Sequence, residues 1–242
     1  MPLPKIATPT YDLELPSTGK KIKYRPFLVK EEKILLLALE SQDTKTITNA
    51  IKQVLKDCII TKGVNVENLP TFDIEYIFLN VRGKSVGESI DLIVTCSDDG
   101  ETQVPVTVYV DEISVVKDPK HNTDIKLDDN LVLRMKYPSL EQFVKSNFDF
   151  SAEQSSSNIE KSFEIISSCI DIIFTKDESW SASDCTKKEL IDFIEGMNSN
   201  QFKMIETFFD TMPKLSHTIT VVNPKTKIEN TVVLEGLTSF FG

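Results

Sequence analysis

The chain has 242 residues, of which 40% are hydrophobic and 26% charged, with a formal net charge of −10. That balance belongs to a folded globular protein, not a disordered or fibrous one, and the length allows one large domain or two small ones. The acidic excess argues against nucleic acid as a partner, because phosphate binding needs a concentrated basic face and the only dense basic run is KKIK at residues 20–23.

Residues 1–10 hold three prolines and read as an extended arm. Residues 11–15 alternate like a half-buried strand. Pro16-Ser17-Thr18-Gly19 supplies a turn, and residues 22–25 alternate again, so a hairpin is predicted. Pro26 ends it. From Val29 the pattern is helical, with Glu31 and Glu32 in the first turn, where the helix dipole favours acids, and Ile34, Leu35, Leu37 and Ala38 at helical spacing. Ile47, Ile51, Val54, Leu55 and Cys58 give a second helix, ending before Lys62-Gly63. Residues 72–86 read as a third helix capped by Thr71, although FDIEYIFLNV has strong strand propensity and a strand is the competing reading.

Next comes the clearest β signal. Ile90, Leu92 and Val94 alternate, Ser97-Asp98-Asp99-Gly100 turns, and Val104, Val106, Val108 and Val110 alternate again. Ile113–Val115 continues that edge until Asp118-Pro119 breaks it. A further hairpin spans Ile125 to Met135 around Asp128-Asp129-Asn130. Ser139 then caps a short helix.

Residues 147–158, with Ser155-Ser156-Ser157 and no apolar period, form the candidate linker. Beyond it Ile159, Phe163, Ile166, Ile170 and Phe174 define one helical stripe. Thr186 and Glu189 make a capping box for a second helix. Asn198 or Ser199 starts a third, with Phe202, Ile205, Phe208 and Phe209 inward, closed by Met212-Pro213. Residues 216–222 and 228–234 flank Asn223-Pro224-Lys225-Thr226-Lys227 as a last hairpin, followed by Leu237, Phe240 and Phe241. The predicted fold class is α+β: a mixed N-terminal half with β-hairpins and helices, and a helical C-terminal half carrying a terminal β-hairpin. The domains expected are residues 1–146 and 159–242.

No stretch approaches the ~18–20 apolar residues of a membrane span, and no secretory signal is read at the N-terminus. Cys58, Cys96, Cys169 and Cys185 lie far apart, as expected of reduced thiols in a cytosolic setting. Cys96 has no CxxC partner and no histidine nearby, so it reads as a strand-end thiol. His121 and His217 belong to no motif, and neither has an orienting acid next to it in sequence. Asp98-Asp99, Asp128-Asp129 and Asp177-Glu178 look like solvated turns, since none supplies a full calcium-loop set. Gly83-Lys84-Ser85 fails as a phosphate loop because Phe78 stands where its first glycine belongs. No catalytic, metal or cofactor-binding residue is assigned, and no cofactor is expected. Phe27, Phe240 and Phe241 sit at element ends, where they either close the core, the default for aromatics, or anchor subunit contacts.

Four stretches resemble the T4-like phage baseplate hub subunit and hub assembly protein family: LPSTGKKIKYRPFLVKEEKILLLALES at residues 15–41, FDIEYIFLNVRGKSVGE at 72–88, FFDTMPKL at 208–215 and LEGLTSFF at 234–241. They span nearly the whole chain in order. The resemblance implies a structural subunit of the baseplate central hub in the virion tail of a contractile-tailed phage, present in the host cytoplasm during assembly. Its partners would be other hub and tail proteins, with a homo-oligomer left open. The alternatives are a transient hub assembly chaperone absent from the finished virion and, further off, an enzyme of host-envelope penetration. Arg25, Phe27, Arg82, Phe240 and Phe241 are the candidate contact residues. Some relatives carry CxxC-type cysteines in the two β-hairpins, suggesting a metal-bound knuckle. This chain has only Cys96 in the first and Asn223–Lys227 in place of the second pair, so zinc is not carried over.

Overall fold

A computed structural model describes residues 6–148 and 158–241. The first antiparallel hairpin pairs β1 (Tyr11–Glu14) with β2 (Lys21–Tyr24). Leu13, Ile22 and Tyr24 point into the core, while the lysines of the KKIK run stay outside. Helices α1 (Val29–Glu40), α2 (Thr44–Cys58) and α3 (Thr71–Val86) follow. In α2, the buried Ile47, Ile51, Val54, Leu55 and Cys58 recur at three- and four-residue steps, forming one inward face. Asp43 caps this helix by accepting from the Thr46 amide at 2.9 Å.

The stretch 72–86 is helical, not extended. Phe72 and Leu79 lie on one side of α3 and Ile74, Ile77 and Val81 on the opposite side, all buried, so this helix is covered from two directions, with Asp73, Glu75, Asn80 and Arg82 between them. Gly83 permits the closest approach to it. A Cβ there would lie 3.1 Å from a Val110 methyl.

Strands β3 (Ser89–Thr95) and β4 (Gln103–Tyr109) form the second hairpin, as expected, with Ile90 opposite Val108 and Val94 opposite Val104. The turn between them uses Gly100 at φ +69°, a left-handed conformation that glycine adopts without steric cost. The segment expected to continue that edge does not. As β5 (Ser114–Val116), it pairs with β10 (Lys214–Val222), about a hundred residues away in sequence, and β11 (Glu229–Glu235) completes that three-stranded sheet.

A four-stranded sheet runs β6 (Asp124–Lys126), β7 (Val132–Met135), β8 (Ile170–Phe174), β9 (Ser179–Ser181), with every neighbour antiparallel. Helices α4 (Leu140–Phe148), α5 (Asn158–Ser168), α6 (Lys187–Glu195) and α7 (Ser199–Thr211) and the short α8 (Thr238–Phe241) complete the described elements. The box predicted for α6 is present, Thr186 with Glu189, and α7, expected to start at Asn198 or Ser199, proves to have one as well, Asn198 with Gln201.

The expected fold class needs correction. The C-terminal half is not mainly helical; it supplies β8, β9, β10 and β11, and the molecule is mixed α/β throughout. The single stripe drawn through Ile159, Phe163, Ile166, Ile170 and Phe174 breaks at Cys169. Ile170 and Phe174 lie on β8, because IDIIF is a β-branched run whose four-residue spacing merely coincides with the helical period.

Among the described residues the apolar interior has two clusters. One gathers α2, α3, α4 and the first two hairpins together with Leu215, Val221, Leu234, Leu237 and Phe240 from the chain's end. The other gathers Ile125, Leu127, Leu133 and Met135 with α5, β8, α6 and α7. Each therefore draws on chain from both sides of residues 147–158. The expected linker falls largely on 149–157, outside the described residues.

Glu75 of α3 sits against the chain's end, accepting from the Leu237 amide, and burial pushes its carboxyl up to about 7 against that hydrogen bond. The unfolded chain releases this proton near 4.5 and the folded chain holds it to about 7. Stability therefore falls as pH rises between these values and levels off above. The loss expected is roughly 3 kcal/mol. Chemical denaturation of the natural chain and of Glu75→Gln across this range should show a slope in the first that is flattened in the second; parallel profiles would contradict it.

Candidate functional site

Where α1 faces α3, the surface carries an open groove of about 440 Å³. Leu28, Leu35 and Leu39 line one wall, Phe78, Arg82 and Val86 the other, and Ile47 and Ile51 of α2 form the floor. Phe27 lies at one end. Its amide donates to Ser85 Oγ at 2.7 Å, and its ring meets Phe78 edge-on at 5.6 Å. Phe27 and Arg82 are thus brought together, and burial lowers the Arg82 pKa from its usual value.

Arg25 faces inward. Its guanidinium donates to Glu31 Oε1 at 2.9 Å and to the Pro26 carbonyl at 3.0 Å. Glu31 has no exposed side-chain surface and also accepts from the Leu28 amide at 2.8 Å and from Lys30 at 3.1 Å. Burial would raise the carboxyl's pKa, but the hydrogen bonds from Arg25, Leu28 and Lys30 prevail and hold it near 2. Phe240 is a core residue at 1% exposure. Phe241 is the last residue of α8, and its side chain lies outside the described set.

α1 is where sequence and structure part most. Glu31 and Ala38 mark its inward line, while the expected stripe of Ile34, Leu35, Leu37 and Ala38 is divided: Ala38 is buried, Leu35 half-buried, and Ile34 and Leu37 exposed. Val29 is 81% exposed, Leu36 56% and Leu37 55%. Helical spacing puts Val29, Lys33, Leu36 and Glu40 on one outward line, with Leu37 beside it.

The chemistry-bearing residues do not converge. Among the described residues, no group of three or more His, Cys, Asp or Glu side chains is placed to hold a metal ion. Burial pushes Cys58 up to about 12 and Cys169 to about 11, which keeps both as thiols. His121 lies between Tyr137 Oη and Thr211 Oγ1, both at 3.0 Å, and stacks on the Tyr137 ring. His217 does have an acid in space: its Nδ1 is 3.1 Å from the Glu112 carbonyl, and its Nε2 is 3.9 Å from that residue's carboxylate. Asp128 accepts from the Asn130 and Leu131 amides, as a turn aspartate does. Gly83-Lys84-Ser85 is the last turn of α3, with Lys84 paired to Glu88.

The residues that sequence reasoning missed are two asparagines. The tips of the β3–β4 and β10–β11 hairpins meet, and Asn223 and Asn230 lock them together. Asn223 Nδ2 donates to Asp98 Oδ1 at 2.9 Å and Asp99 Oδ2 at 3.0 Å, while its Oδ1 accepts from the Lys225 amide at 2.8 Å. Asn230 Oδ1 accepts from Ser97 Oγ and from the Asp98 amide, both at 2.9 Å. Thr226 Oγ1 also donates to Asp98. Hydrogen bonds from Asn223 and Thr226 hold the Asp98 carboxyl below its usual range, and those from Thr102, Glu101 and Asn223 do so for Asp99. One buried thiol, two carboxylates already engaged and two amides do not make a zinc knuckle. In this chain hydrogen bonds hold the hairpin tips instead. The available signal was Asn230, a polar residue at an inward position of a β-branched strand.

A family model described as T4 bacteriophage base plate protein matches residues 8–242. The chain belongs to that family. No curated protein and no solved structure matches it. This baseplate protein is thus a structural component of the phage tail baseplate, where other baseplate proteins are its partners. No helix among its described residues is long and apolar enough to cross a membrane.

In the baseplate protein, Asn223 is fully buried and satisfies groups on both hairpins. Asn223→Ala should cost about 1–3 kcal/mol by leaving Asp98, Asp99 and the turn amides short of partners. Urea unfolding measures it; a loss under about 0.5 kcal/mol, the size of a surface change, would count against the clasp.

Proposed function

We propose that this chain is a structural subunit of the baseplate central hub that works through protein–protein contacts and catalyses no reaction. What carries the reading is the outward line of α1. A baseplate-family chain that leaves Val29, Leu36 and Leu37 in water beside an apolar groove has a surface suited to a partner. Phe27 and Arg82 at that groove keep their role as contact residues. Arg25 supports the surface from behind, through Glu31. Phe240 supports the contacts by closing the core, and Phe241 extends the same short helix. The subunit assembles in the host cytoplasm and stays in the virion.

The test is a phage carrying Leu36→Glu. Leu36 is more than half exposed, so the purified variant should melt with the natural chain. A charge in a central apolar contact costs about 2 kcal/mol or more, so infectious particles should fall at least tenfold. Mass spectrometry of purified wild-type virions should find the chain. Its absence from finished particles would replace the subunit reading with that of an assembly chaperone, and a Leu36→Glu phage with normal titre would remove α1 from the contact.

A further inference from the structure

The outward line of α1 has an internal symmetry. Residues 33–40 read K-I-L-L-L-A-L-E, with Lys33 three residues before Leu36 and Glu40 three residues after Leu37. Both charged residues are exposed, and among the described residues neither has an ion-pair partner. If a second α1 is laid antiparallel across a twofold axis between Leu36 and Leu37, Lys33 of each copy comes level with Glu40 of the other. The four leucines meet in the middle. The segment is therefore complementary to itself in both apolar surface and charge, which is what an isologous contact requires.

From this we infer that the occupant of the α1 face is α1 of a second copy of this chain. The inference rests on the reading of that face as a contact surface and names its partner. The same pairing brings Val29 and the groove beside Leu36 within reach of the neighbouring copy. The helix is about 18 Å long, a small contact beside those of permanent dimers, so the association is micromolar. The chain's net charge of −10 opposes its approach to a copy of itself, and the paired Lys33 and Glu40 offset part of that repulsion where the surfaces touch.

Sedimentation velocity of the purified full chain from about 1 to about 100 µM tests it. The natural chain should pass from monomer to dimer across the range. Leu37→Glu should remain monomeric with an unchanged melting curve. Lys33→Glu should weaken association about tenfold, since it turns two attractions into two repulsions. Adding Glu40→Lys to that variant should restore it to within about threefold, because the swapped charges pair again. A natural chain monomeric throughout, or a dimer indifferent to Leu37→Glu and to the charge swap, overturns the inference. The two readings separate cleanly. If the chain is monomeric but a Leu37→Glu phage still loses titre, the second copy is wrong and the hub contact stands. If it dimerises as described but is absent from virions, the hub-subunit reading fails and the self-contact stands.

Discussion

α3 carries buried apolar residues on opposite sides, and much of the rest of the fold follows from the need to cover them. A helix of this kind must be packed against from more than one direction. Phe72, Ile74, Ile77, Leu79 and Val81 project in different directions, so no one neighbour can bury them all. α2 and α4 cover part, and β5 and β10 close another side. β10 comes from the last thirty residues of the chain, so the covering of α3 is what draws the terminal hairpin back across the molecule. The same return brings the β10–β11 tip against the β3–β4 tip, where the asparagine clasp forms.

Elements fixed by local chemistry were legible in the sequence. The Asp-Asp-Gly turn, the Thr186 capping box, the helix start at Asn198 and the stop at Pro213 depend only on residues within a few positions of each other. Ile170–Phe174 was not legible, since a five-residue β-branched run carries no period that separates strand from helix, and its partner β7 lies far back in the chain. β5 was read as a strand with the wrong neighbour for the same reason. Pairing is decided by what remains to be covered, which strand propensity does not encode.

The candidate site was half legible. Phe27 and Arg82 were named from the sequence and do share a groove. Arg25 was named with them but turns inward to Glu31, which is buried although an acid in a first helical turn ordinarily stays in solvent. The clasp escaped because Asn223 and Asn230 act on Asp98 and Asp99 over more than a hundred residues, and each half alone resembles a solvated turn.

The rotation of α1 about its own axis shows how the buried charge governs the exposed surface. Glu31 and Ala38 are seven residues apart and share the inward line. With those two held inside, the helical period sends Leu36 to nearly the opposite side. Hydrophobic burial alone would favour turning the helix to take Leu36 and Leu37 in. That turn would carry Glu31 away from Arg25 and the Leu28 amide. Breaking a buried ion pair costs about 3–5 kcal/mol, while fully burying one leucine gains about 1.5–3 kcal/mol, and these leucines are already partly covered. The turn would take in both leucines, but each is already nearly half covered, so their joint gain is about 2–3 kcal/mol, still below the cost of parting Arg25 from Glu31. An interior salt bridge thus holds apolar residues in water, and the contact surface of α1 is a consequence of the charge on the helix's other side.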